Sequence, residues 1–83
     1  MDIVAEKSLL GKKIADKRRA LRDLYGGMMS PTDLDRELGF KTRGKGESWA
    51  ASVGIEYVPV SAARRGYETD RVAEEIVKRR VPV

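Results

Sequence analysis

SPTDLDRELGFKTRGKGESWAASVGIEYVPVSAARRGYETDRVAEEIVKRR, residues 30–80, is the stretch that decides the fold. It opens with Ser30-Pro31 and an acid at Asp33, which mark a helix start. The serine hydroxyl caps free N–H groups, proline suits the first turn, and the acid favours the positive end of the helix dipole. A helix is predicted from Pro31 to Leu38, with Leu34 and Leu38 four apart on the core side. Gly39 stands where a left-handed cap is wanted, and Phe40 is expected to tuck beneath the helix end.

Lys41-Thr42-Arg43-Gly44-Lys45-Gly46 has bases and glycines but no apolar residue, and reads as a flexible, cationic connection. A short helix is expected from Glu47 to Val53. Trp49 and Val53, with Ala50, point inward; Lys45, Glu47, Ser48, Ala51 and Ser52 point outward. Gly44 to Ser48 has the look of a phosphate-cradling loop, yet it lacks the full spacing of that motif and no apolar strand precedes it. Trp49 reads as a core anchor in preference to a base-stacking platform, since it is the single tryptophan of a small chain with one phenylalanine.

Ile55-Glu56-Tyr57-Val58-Pro59-Val60 alternates and is β-rich, and Pro59 confines it to an edge or an early end. Ser61 to Gly66 then forms a tip carrying Arg64 and Arg65, with Tyr67 on the return. Strand, basic tip and return strand make a small hairpin wing. Arginines at such a tip suit a minor groove or a phosphate clamp, and ordinary turn polarity is the plainer alternative. The last helix is expected from Asp70 to Arg79 or Arg80, capped by Thr69, with Val72, Ala73, Ile76 and Val77 on one face.

Upstream, Leu10, Ile14, Leu21, Leu24 and Met28 recur at helical spacing, which predicts an amphipathic helix from about Glu6 to Leu24. Gly26-Gly27 closes it and reads as a hinge. Over residues 1–27, seven bases (Lys7, Lys12, Lys13, Lys17, Arg18, Arg19, Arg22) stand against four acids (Asp2, Glu6, Asp16, Asp23). The segment thus holds +3 of the net +4. Packing of the stripe on the rest of the chain, self-association through it, and a partner- or phosphate-binding role remain open. The organisation expected is a basic helix with its hinge (1–27) before a winged helix-turn-helix (28–83). The fold class is mainly α with a small β-hairpin.

With 83 residues, the chain has room for a thin core. The net charge of +4 suits a polyanionic partner, because clustered Lys and Arg release counterions from phosphates. No cysteine and no histidine are present. That removes disulfides, thiolate metal sites, the commonest metal ligand and the commonest general base, so neither an enzyme nor a bound cofactor or metal is expected. Neither a signal peptide nor a membrane helix is legible in the first residues, and a cytoplasmic protein without membrane contact is expected.

The run from Met29 to Arg80 resembles the excisionase group of phage recombination directionality factors, which share a MerR-like winged-helix fold. Leu38-Gly39, the helix from Glu47 to Val53, the wing from Val58 to Tyr67, and Asp70 leading into Val72-Ala73 carry the resemblance. The chain departs from that pattern in its longer Lys41–Gly46 connection, in the base-reading poverty of Trp49-Ala50-Ala51, and in the additional N-terminal helix. The resemblance implies a non-enzymatic protein that binds and bends double-stranded DNA, self-associates on it, and biases an integrase toward excision. Ser48, Ser52 and Lys45 would then enter the major groove, Arg64 and Arg65 the neighbouring minor groove and backbone, and Lys41 and Arg43 would hold phosphates. A small repressor of the same fold and a protein-interaction module acting through the first helix are the alternatives.

Overall fold

The computed structural model describes residues 3–81. It is mainly helical, with a small three-stranded antiparallel sheet. In chain order the elements are α1 (Ile3–Tyr25), β1 (Met28–Met29), α2 (Pro31–Leu38), α3 (Lys45–Ser52), β2 (Val58–Ser61), β3 (Arg64–Glu68) and α4 (Thr69–Lys78).

α2 forms as its sequence dictates. The Ser30 hydroxyl accepts from the Asp33 N–H at 3.1 Å, and the Asp33 carboxylate accepts from the Ser30 N–H at 2.9 Å, a complete capping box. Gly39 closes the helix at φ 75°, and the Phe40 N–H donates to the Asp35 carbonyl at 2.9 Å. The Phe40 side chain, expected beneath the helix end, instead stays 39% exposed. Leu34 is fully buried and Leu38 only half-buried.

α3 begins two residues earlier than the sequence suggested, at Lys45, and the preceding turn is anchored rather than flexible. The Asp35 carboxylate accepts from the Gly44 N–H at 3.1 Å and the Gly46 N–H at 2.6 Å, so α2 caps α3 directly. Gly44 takes a φ of 93°, open to glycine at little cost. Gly46 is needed for a different reason: a Cβ there would lie 2.6 Å from the Leu34 Cβ and 2.8 Å from the Asp35 backbone nitrogen. The two helices touch at this glycine.

β3 is the central strand, in the order β1-β3-β2. Met29 pairs with Tyr67 on one side and Val58 with Gly66 on the other, with an irregular register between Pro59 and Ser61. Sequence reading missed β1, which ties the segment between α1 and α2 into the sheet. The expected hinge at Gly26–Gly27 is accordingly a pinned turn. The Thr69 hydroxyl donates to the Gly26 carbonyl at 2.7 Å and the Thr69 N–H to the Gly27 carbonyl at 3.1 Å. That also takes the Thr69 hydroxyl away from capping α4, whose N-cap is Glu68.

Leu21, Met29, Leu34, Ala50, Ile55, Tyr67, Val72 and Ala73 form the core, with Tyr25, Trp49, Val53 and Ile76 packed around it. Trp49 is thus a core flank, in keeping with the sequence reading. Of the apolar stripe read for this helix only Leu21 is buried and Ile14 half-buried; Leu10 and Leu24 are exposed, and Met28, also exposed, lies beyond α1 in β1. For Leu10 the physical reason is length. A helix of 23 residues spans about 35 Å, whereas the shorter extents of the molecule are 23 and 21 Å against 48 Å along its long axis. Its C-terminal half packs on α4, where Arg22 makes a bidentate pair with Asp70 at 2.7 Å, Arg18 approaches Glu74 at 3.5 Å, and Lys17 reaches Glu37 of α2 at 3.1 Å.

Candidate functional site

The exposed face of α3 and the β2–β3 hairpin flank a common surface. Along α3, Lys45, Ser48 and Ser52 stand at i, i+3 and i+7 and are all exposed, forming one polar stripe. The Ser48 hydroxyl donates to the Gly44 carbonyl at 3.3 Å and the Ser52 hydroxyl to the Trp49 carbonyl at 2.6 Å. Both hydroxyls retain outward acceptor capacity.

Arg64 and Arg65 are exposed, as expected, but they open β3 rather than form the hairpin tip, which is Ala62-Ala63. Hairpin register is the cause, since Ser61 pairs with Arg64 and leaves only two residues to turn. Being on a strand, the two arginines are held by the sheet.

A cleft of about 570 Å³ lies between the start of α2, the α2–α3 turn and the hairpin. Arg43 borders it from the turn, Arg64 and Arg65 from β3. Both helix N-termini at its edge are already satisfied, α2 by Ser30 and Asp33 and α3 by Asp35. The cations of the cleft are the guanidinium groups of Arg43, Arg64 and Arg65, set against the carboxylates of Asp35 and Glu47. On the other side of Glu47 a shallower groove runs past Ser48, Ala51, Tyr57 and Arg65. The structure thus brings Arg43, Arg64 and Arg65 to one cleft and Ser48 to the adjoining groove. Lys41, Lys45 and Ser52 are exposed but border neither.

Two residues of this surface were not recognised in the sequence. Tyr57 carries the Arg65 guanidinium over its ring, 4.7 Å from the centroid. Glu47, expected to face outward, is turned to the sheet. Its Oε2 accepts from the Tyr67 hydroxyl at 2.7 Å and lies 3.7 Å from an Arg65 nitrogen. Burial first, and then the Glu47 hydrogen bond, push the Tyr67 hydroxyl up to about 12, so it remains a donor. The signal available was the hairpin register: pairing Val58 with Gly66 sets Tyr57 beside Arg65 and Tyr67.

The α1 bases are less available than their number suggests. Lys17, Arg18 and Arg22 pair with Glu37, Glu74 and Asp70, and Arg19 lies 3.7 Å from Asp16. Among the described residues no group of three or more acids converges as a metal would require, and no helix is long and apolar enough to cross a membrane.

No family model matches the chain, and neither a curated protein nor a solved structure is detectably similar to it.

Proposed function

We propose that the chain is a DNA-binding protein working as a winged helix-turn-helix. In this reading α2 is the supporting helix, α3 faces the major groove and the β2–β3 hairpin is the wing. The observation that carries it is the convergence of Arg43 with Arg64 and Arg65, from separate elements, on one cleft beside the exposed stripe of α3. Arginines from two elements clamp a phosphate backbone passing between them, while Lys45, Ser48 and Ser52 meet base edges and Lys41 adds a phosphate contact. No residue is assigned a catalytic role, and the cleft is assigned no cofactor.

The particular activity proposed is excisionase-like: several copies bind neighbouring sites, bend the duplex and bias an integrase toward excision. A stripe of one lysine and two serines supports modest readout by a single copy, so specificity rests on cooperative binding. A small repressor of the same architecture differs in site layout, an inverted repeat against direct repeats. One observation favours a second role, contact with a protein or another copy: Leu9 and Leu10 on α1 are 53% and 41% exposed.

The test is a salt-titrated mobility shift on random-sequence duplex and on DNA flanking the gene. Four cations on phosphate (Lys41, Arg43, Arg64, Arg65) give a slope of log affinity against log salt of about −3.6. That is a loss of roughly 150-fold between 50 and 200 mM salt. Arg64→Glu with Arg65→Glu should flatten the slope by about 2 and abolish the preference for flanking DNA. Absence of binding to either duplex at low salt overturns the proposal and turns attention to α1.

A further inference from the structure

Three acids run against a phosphate-binding surface here: Asp35 lines the cleft, Glu56 the groove, and Glu47 both, Glu47 lying against Arg65. Glu47 occupies the first turn of α3 and is 28% exposed. Its Oε2 takes the Tyr67 hydroxyl at 2.7 Å and faces Arg65 at 3.7 Å. The Tyr67 bond needs an acceptor oxygen, which a glutamine still supplies, though more weakly than a carboxylate. The negative charge itself acts mainly on the guanidinium next to it. That guanidinium also lies over the Tyr57 ring, 4.7 Å from its centroid.

Resting on the DNA-binding reading, we infer that Glu47 is a specificity-determining residue which competes with phosphate for Arg65. A phosphate engaging Arg65 must first displace the carboxylate, or sit close to it, and either raises the free energy of the complex. On random sequence the wing has few other contacts to offset this. On a cognate site the α3 stripe docks at the same time, and its base contacts compensate. Glu47 thereby lowers non-specific affinity more than specific affinity, and specificity is a difference between the two. The Tyr57 ring, 4.7 Å from the guanidinium, holds Arg65 so that the arginine changes partner without changing place.

Glu47→Gln, Arg65→Gln and the double variant, in mobility shifts at fixed salt, test this. Glu47→Gln should bind random duplex about three- to fivefold tighter, the scale of a partly exposed ion pair. It should gain less on flanking DNA, so the ratio between the two falls. In the Arg65→Gln background the same change should gain less than about twofold, because the competitor has lost its object. An equal gain in both backgrounds shows Glu47 repelling DNA by charge alone and overturns the inference, as does unchanged or weaker binding by Glu47→Gln. Should Glu47→Gln fail to fold, Glu47→Met with Tyr67→Phe removes both partners of the hydrogen bond together and should show the same gain. If wild type binds neither duplex, the DNA reading itself falls, which is a different result from wild-type binding that Glu47→Gln leaves unchanged.

Discussion

Gly46→Ala puts the α2–α3 contact to a direct test. In an isolated helix the change is favourable, since alanine exceeds glycine in helix propensity by about 1 kcal/mol. In this protein the new methyl meets the Leu34 Cβ at 2.6 Å, the Asp35 backbone nitrogen at 2.8 Å and the Asp35 Oδ1 at 2.8 Å. None of these atoms is the loose end of a flexible side chain. Ordinary carbon contacts lie near 3.5–4.0 Å, so the helices must part by roughly 1 Å. Overpacking of this kind costs about 1–3 kcal/mol, and weakening the Asp35–Gly46 hydrogen bond adds about 1 kcal/mol. After the propensity gain, a net loss of about 1–3 kcal/mol remains. In a chain of 83 residues that lowers Tm by about 4–8 °C per kcal/mol, so by at least about 4 °C. Thermal unfolding followed by far-ultraviolet circular dichroism measures it. Gly11→Ala is the control: it sits within α1 with nothing inside 4 Å of its Cβ, and should raise helical ellipticity without lowering Tm. A Gly46→Ala protein that melts at or above wild type would refute the close approach of α2 and α3.

Asp35→Ala strips both acceptors from the Gly44 and Gly46 N–H groups and should cost about 1–3 kcal/mol in urea denaturation; an unchanged midpoint would mean the turn holds without its clamp. Thr69→Val, close in volume but without a donor for the Gly26 carbonyl, should cost about 1 kcal/mol by the same measurement, and a neutral result would return Gly26–Gly27 to the status of a hinge. Acid should destabilise the fold. Hydrogen bonds from Arg22 to Asp70, from Lys78 to Glu74, and from Arg71 and Arg79 to Glu75 hold these carboxyls below their ordinary range. Stability from a depressed carboxyl is full above the unfolded-state pKa, around pH 4, and is lost as pH falls through the folded-state value. Tm should therefore be level from about pH 6 to 8 and fall below about pH 4, and a Tm that holds at pH 3 contradicts those pairs.

Local rules sufficed for α2. Its capping box, first-turn proline and Gly39 cap all lie within a few residues of the helix they bound, and the predicted range, Pro31 to Leu38, is the observed one. The same rules placed the start of α3 late, because Gly44-Lys45-Gly46 has loop composition. Gly46 became helical by fitting against Leu34 and by donating to Asp35, ten and more residues away. The α1 period correctly showed a helix but gave no measure of how much of its stripe would be covered. Only the portion lying on α4 is buried.

Of the site, the residue types and their exposure were legible: Lys41, Arg43, Lys45, Ser48, Ser52, Arg64 and Arg65 are all on the surface. Their grouping was not. Residue type and spacing determined which faces of each helix are polar, where α2 begins and ends, and that the chain carries excess positive charge. Tertiary structure alone decided that Arg43 meets Arg64 and Arg65 at one cleft, that Glu47 turns to Tyr67 and Arg65, and that Met28–Met29 become a strand. Helix period and caps act over one or two turns and are written in neighbouring residues. Contacts such as Glu47 with Tyr67 and Met29 with Tyr67 join residues twenty or more apart, and only the packed chain brings those together.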